Sequence, residues 1–407
     1  MDKTHRYLLW ISAIYGFLFF ISNPTMPIYL DALGIGGRFI GFYLASGGLG
    51  LLLFSTLWGS LGDIKHRNKI LGIVFVGYAI GQAMFGLFSN PYLLLIASMV
   101  SGFFVAGVLV NIYAYINDNV AEEQKRNKML SYAISLYMMG GATAYIVGAI
   151  LTNVFREQLS FVFYLQATVL VLFGLYIYFA PTQLKDTDHH LTRSSLIEKI
   201  KEVGRLPWIP IYTITLTFFI SFAHNNVRRF LDYYIIDDGY NAIVLGWILF
   251  LVGFVSLISN LWIAPYFLKR FHNFRFLQWQ FLLAPIFLYF TFKTTNLLVG
   301  LYSFYMLYTV MLAIYEPTAI SFMSQNRAVS QGVLIGVRQS IVGLGTTLGF
   351  ILGGFLYQSD PIYVFYLSAI LFVIVFLGFT ILIELKKVDV KTYRENYIKG
   401  VFSDDRD

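Results

Sequence analysis

The sequence predicts an all-α membrane protein whose twelve transmembrane helices form two pseudo-symmetric six-helix bundles. Three observations lead there. Of 407 residues, 57% are hydrophobic and only 13% charged, with a mean hydropathy of +0.67; a soluble chain carries about 25% charged residues. Several uncharged runs exceed the ~20 apolar residues needed to cross a bilayer. Finally, the chain resembles itself when shifted by 205 residues.

Predicted spans run over 7–30, 37–62, 69–88, 91–117, 129–154, 159–181, 208–236, 240–268, 274–292, 295–324, 330–357 and 361–385. The first follows from the uncharged run Tyr7–Leu30. It is too long for a signal-peptide core and lacks a small-residue cleavage site, so no cleavable signal is expected. The third and fourth share 48 residues free of Asp, Glu, Lys and Arg, from Ile70 to Asn117, divided by the turn residues Ser89-Asn90-Pro91. Met129–Phe155, Gly239–Leu268 and Pro361–Ile383 supply the fifth, eighth and twelfth. The longest polar connection, Thr182 to Pro207, separates six spans from six. The expected organisation is therefore a bundle over 1–181, a linker over 182–207, a second bundle over 208–385 and a tail over 386–407. Within the linker, Leu196, Ile197, Ile200 and Val203 fall on one helical face, consistent with a short amphipathic helix on the membrane surface or a solvated connection.

Charge placement gives the orientation. With both termini on one side, 23 of the 29 Lys and Arg lie on that side, against Arg38, Arg156 and Lys293 on the other. The positive-inside rule then puts both termini in the cytoplasm of a multi-pass cell-membrane protein. The net charge of +7 is thereby a topology signal, and a nucleic-acid partner is not expected. No G-x-x-x-x-G-K-[ST] run suggests ATP as a cofactor, the six histidines show no metal spacing, and there are no cysteines for thiolate or disulfide chemistry. Neither a cofactor nor a metal is expected, and no nucleophile constellation suggests an enzyme.

The 205-residue shift lays Gly41 on Gly246, Gly48 on Gly253, Gly140 on Gly345, Gly148 on Gly353, Ser135 on Ser340 and Tyr29 on Tyr234. A shift of 202 lays "VFYLQA" (162–167) on "VFYLSA" (364–369). Parallel repetition of two six-helix halves describes a transporter whose site lies between them. The loop "GSLGDIKHRNKIL" (59–71) carries Gly59, Leu61, Asp63 and Arg67 in the spacing G-x-L-x-D-x-x-x-R. It resembles the signature of the major facilitator superfamily, although His66 stands where that family usually has Gly. Gly59 permits close helix packing and Asp63 can accept from N–H groups at a helix N-terminus. The resemblance implies a cytoplasmic gate built on Asp63 and Arg67, to which the helix-end residues Asp118 and Arg338 are natural additions; each is otherwise an interfacial charge anchoring a helix end.

Within that family the chain looks like bacterial drug:proton antiporters, as in "PIYLDALG" (27–34) and "RQSIVGLG" (338–345), with departures. The fourth span reads "ASMVSG", with Ser98 where the drug exporters usually carry Arg. "AYIVGA" (144–149) in the fifth and "GFILGG" (349–354) in the eleventh lack the Pro of the antiporter signature.

The resemblance further implies that spans one, four, seven and ten line a central cavity. The 205 shift pairs Asn23 with Arg228 and Asn111 with Glu316, so a faithful repeat turns all four to a common axis. Glu316, followed by Pro317, has apolar neighbours; such a carboxylate is poised to load and release a proton, or else is a structural partner for Arg338. On the seventh span, Arg228 lies about 10 Å beyond the helix middle at 1.5 Å per residue. Asp232, four residues on, shares its face, while Arg229 must snorkel or find another partner. Three readings stay open for this polar stretch: an outer-end salt bridge, an anion site, or a gate closed against Asn23 or Asp31. His224 and Asn225 deepen it, and Tyr113, Tyr308 and Tyr315 are candidates to stack on a solute. The expectation is a secondary active transporter, monomeric, coupled to protons and exporting small amphipathic molecules. Uptake or exchange of a polar or anionic solute is the alternative within the fold; a non-transporting receptor or scaffold is the alternative outside it.

Overall fold

A computed structural model describes residues 3–64, 67–120, 123–180, 208–264, 266–267, 273–324 and 331–385. The linker helix and the tail expected from the sequence lie outside them. Helix α1 (Lys3–Phe20) ends early, and α2 (Thr25–Ala32) resumes after a turn. The unbroken first helix expected over 7–30 is thus interrupted, because Pro24 has no N–H to give the ladder and clashes with the carbonyl one turn back. Thr25 and Met26 both donate instead to the Ser22 carbonyl, at 3.1 Å each.

The other helices are α3 (Gly37–Ile64), α4 (Arg67–Leu87), α5 (Pro91–Asn119), α6 (Glu123–Val154), α7 (Ser160–Phe179), α8 (Trp208–Asp237), α9 (Ala242–Ile258), α10 (Asn273–Lys293), α11 (Leu297–Gly300), α12 (Met306–Ser324), α13 (Gln331–Ser359) and α14 (Ile362–Leu385). A π-helical turn at Ser259–Ile263 continues α9, and another at Leu301–Tyr305 joins α11 to α12. Ten of these helical stretches, α1 and α2 counting as one, are long and apolar enough to cross a membrane, against twelve expected. Trp208–Asp237 and Asn273–Lys293 are not among the ten; the first carries the His224–Asp232 polar stretch and the second Arg275, Gln278 and Gln280.

Asparagines start the helices after tight turns. Asn90 accepts from the Tyr92 N–H at 2.9 Å, with Pro91 at the first helical position, and Asn241 and Asn296 cap in the same way. At the other end of α2, Gly34 (φ 68°) donates to the Asp31 carbonyl at 2.8 Å and Ile35 to that of Leu30 at 3.0 Å. At the end of α8, Gly239 (φ 90°) donates to Ile236 at 2.9 Å and Tyr240 to Ile235 at 3.1 Å. Both are left-handed glycine stops, a conformation that costs other residues a Cβ clash. They sit 205 residues apart.

The packing repeats at the same interval. A Cβ on Gly140 would stand 2.1 Å from the Ala13 carbonyl oxygen, and one on Gly345 2.5 Å from that of Phe218. Within each half, therefore, α1 packs on α6 as α8 packs on α13. Between the halves, Gly41 on α3 leaves room for the Phe350 carbonyl and Gly354 of α13. Its counterpart Gly246 on α9 does the same for the Tyr145 carbonyl and Ala149 of α6. Gly48 against Thr347 and Gly253 against Ala142 continue the two contacts. All of these partners differ by 205. The halves thus meet along α3–α13 and α6–α9, two seams related by one pseudo-two-fold axis, and the space between the seams is the site.

Candidate functional site

That space is a cavity of about 830 Å³ lined from both halves. The break between α1 and α2 presents Asn23 to it, beside Phe19 and Phe20. Tyr43 comes from α3, Tyr78 and Gln82 from α4, Ser98, Ser101 and Tyr113 from α5, and Tyr137 from α6. From the other half come Asn225, Arg228 and Arg229 on α8, with Ser340, Thr346 and Phe350 on α13. Eight of the lining residues are aromatic, and polar groups reach the wall from the α1–α2 break, from α4 and α5, and from α8 and α13.

The two arginines are placed differently. Arg229 bridges Asp232 at 3.5 Å, and Asp232 is 4% exposed with its second oxygen, Oδ1, unbonded. The expected pairing of Asp232 with Arg228 is therefore replaced by a pairing with Arg229. Arg229 faces the cavity and does not snorkel toward lipid. Arg228 is exposed to the cavity, and its guanidinium carbon lies 5.9 Å from the centre of the Phe20 ring in the other half. The Tyr145 hydroxyl, also from the other half, stands between the Arg228 guanidinium and the Asn23 amide, which is 3.5 Å away. Asp31, the other partner considered for a gate, is exposed on α2. Asn225 is held in place by donating to the Ser221 carbonyl at 2.9 Å and to Thr346 Oγ1 at 2.8 Å, which ties α8 to α13 at the cavity wall.

Several sequence candidates lie elsewhere. Asn111 is fully buried, donating at 2.7 Å to the Gly107 carbonyl and at 3.3 Å to that of Trp58. It fastens α5 to α3 instead of turning to the common axis. Tyr308 is 1% exposed and meets His224 Nδ1 at 3.2 Å, while Tyr315 meets Thr217 Oγ1 at 3.1 Å. Each closes a polar contact between α12 and α8 inside the second half, where an unsatisfied hydroxyl would be costly. Among the described side chains, α12 contributes none to the cavity, unlike the fourth-span equivalent α5. The backbone of Glu316 belongs to α12, and those of Gly59, Asp63 and Asp118 to α3 and α5, but their side chains lie outside the described residues. Arg67 and Arg338 are buried, and the Arg338 guanidinium sits 6.0 Å from the Tyr315 ring centre.

The sequence reading missed Tyr43, Tyr78, Gln82, Ser101 and Tyr137. Gln82 and Ser101 carried a signal, being polar residues in the middle of a 48-residue uncharged run, and they face each other at 3.4 Å. The tyrosines carried none, since 29 tyrosines are spread over the chain. Among the described residues no group of three or more His, Asp or Glu is placed to hold a metal.

The matched region with a multidrug resistance protein MdtG of Serratia proteamaculans is 26% identical, covering 63% of this chain and 64% of that relative. For the efflux pump PmrA of Streptococcus pneumoniae the figures are 24%, 58% and 60%. The chain thus spans a little under two thirds of the length of these relatives. The quinolone resistance protein NorA of Staphylococcus aureus is matched at 19% identity over 84% of this chain and 87% of that protein. Among solved structures, a bacterial homologue of the human lysosomal transporter Spinster superposes with a TM-score of 0.76 at 12% identity, covering 93% of this chain and 97% of that one. A D-xylose-proton symporter gives 0.71 at 14% identity over 91% and 96%, and these two likenesses speak for the fold alone. The family model of the Major Facilitator Superfamily matches residues 8–329. Two helical halves related by a 205-residue repeat, a cavity between them and this match together make the chain a member of the Major Facilitator Superfamily.

Proposed function

We propose that the protein exports small amphipathic molecules from the cell by alternating access, in exchange for protons. The observation that carries this reading is the cavity of about 830 Å³ between the halves, walled by aromatic side chains and reached by polar groups from both. Its size suits a drug-sized molecule. The relatives named for multidrug resistance and efflux support the direction. In this reading residues 1–181 and 208–385 are the two rocking bundles, 182–207 the linker and 386–407 the tail, with both termini cytoplasmic in the plasma membrane. Asp63, Arg67, Asp118 and Arg338 close the cytoplasmic side, and the monomer is the working unit. Glu316 is the proposed proton carrier, a carboxylate embedded in an apolar helix.

Vesicles reconstituted with the protein provide the test. Flux of an amphipathic dye should collapse when the pH gradient is dissipated, and flux indifferent to the gradient rejects the coupling. Glu316→Gln should lose the dependence on pH gradient; full wild-type coupling in that variant removes Glu316 from the role. A second reading, uptake or exchange of a polar or anionic solute, is favoured by Arg228 and Arg229 on the wall and by Ser98 in place of an arginine. It would give accumulation of solute inside right-side-out vesicles.

A further inference from the structure

We infer that the cavity selects amphipathic molecules bearing one anionic group, a carboxylate or sulfonate on an aromatic body, and that Arg228 holds that group. The inference rests on the transport reading and names its substrate class. Among the lining residues described, Arg228 and Arg229 are the charged ones, and no Asp or Glu lines the wall. Asp232 lies behind the wall, buried, and bridges Arg229. Two guanidiniums against one carboxylate leave the cluster net positive, and Arg228, the more exposed of the two, presents that charge to the cavity. The groups of the other half around Arg228 are neutral: the Tyr145 and Tyr137 hydroxyls and the Phe20 ring. Its guanidinium is exposed to the cavity, and a planar fork of N–H donors matches an oxyanion bidentately. Low-dielectric walls strengthen that attraction and equally repel a cationic ligand.

The rest of the wall describes the body of the molecule. Phe19, Phe20, Tyr43 and Tyr137 offer flat apolar faces suited to stacking. The ligand expected is therefore an aromatic monoanion, not an organic cation.

The test is equilibrium binding to the full chain in nanodiscs of neutral lipid, using 1-naphthoate, its methyl ester and 1-naphthylmethylammonium. Naphthoate should bind at least about tenfold tighter than the ester, with the ammonium weakest. Arg228→Gln should weaken naphthoate binding by about tenfold to a hundredfold, as for loss of a charged hydrogen bond, and leave the ester unmoved. Asp232→Asn, which releases the Arg229 charge, should tighten naphthoate several-fold. A wild-type protein blind to charge overturns the assignment, as does equal loss of ester and naphthoate in Arg228→Gln. Should that variant fail to fold, the wild-type ranking and Asp232→Asn decide, and unchanged or weaker naphthoate binding in the latter overturns it. Flux in vesicles separates the two levels. Selective binding without movement sinks the transport reading and spares the site; movement regardless of ligand charge does the reverse.

Discussion

Arg228 and Arg229 are neighbours in the chain, about 100° apart around α8, and Asp232 lies within reach of both by spacing. Residues three and four apart share a helix face; the sequence reading took the i,i+4 pair, Arg228 with Asp232, and left Arg229 to another partner. The structure forms the i,i+3 pair, while Arg228 stands beside the Tyr145 hydroxyl and the Phe20 ring of the other half with its guanidinium exposed to the cavity. This gives the arginines different consequences when lost. Arg229→Ala leaves the buried Asp232 carboxylate without its cation and should lower stability by about 3 kcal/mol, the low end for breaking a buried pair, since Arg229 is 27% exposed. Thermal unfolding in detergent measures it, and the double variant Arg229→Ala with Asp232→Ala should recover part of the loss. A single variant as stable as wild type would show that the pair contributes nothing.

At the level of helices, much was legible and some was not, for identifiable reasons. Uncharged runs mark membrane spans because the bilayer core penalises charge, and Ser89-Asn90-Pro91 was readable as a turn because Asn caps and Pro starts helices. The break in the first span was not read, since Pro24 sits in a stretch of even hydropathy. Which face of a span meets the cavity was also hidden. Both faces of a membrane helix are apolar, so nothing in the spacing of Asn111, Tyr308 or Tyr315 told a buried contact from a cavity wall. The 205-residue register did carry that information for Asn23 and Arg228, both of which line the cavity. It carried packing information too. A Cβ at Gly41 would stand 2.5 Å from the Phe350 carbonyl and 2.7 Å from the Gly354 Cα, so neither backbone can yield cheaply. Gly41→Val should force α3 off α13 at the roughly 1–3 kcal/mol typical of overpacking. Its unfolding midpoint and transport rate should both fall, and an unchanged midpoint would mean the seam is looser than described.

For the molecule as a whole, the α3–α13 and α6–α9 seams are where the long helices of the two halves pack on each other. If the halves alternate, α6 and α9 must separate or slide in every cycle, and a covalent bond between them must stop transport. The chain supplies an unusually clean background for that test, having no cysteine of its own. Ala142 on α6 and Gly253 on α9 face each other such that a Cβ on Gly253 would stand 3.0 Å from that of Ala142. A slight parting of the helices brings this to the 3.5–4.5 Å (mean about 3.8 Å) that a disulfide spans. Ala142→Cys with Gly253→Cys should therefore oxidise readily in the membrane, abolish flux while oxidised and regain it on reduction, whereas either cysteine alone should be indifferent to oxidant. Binding of a cavity ligand should survive the cross-link, because Arg228 and the aromatic wall are not moved by a bond at this seam. A cross-linked protein that still transports at the wild-type rate would mean that the α6–α9 contact stays fixed throughout the cycle, and that the halves do not rock about the axis their repeat defines.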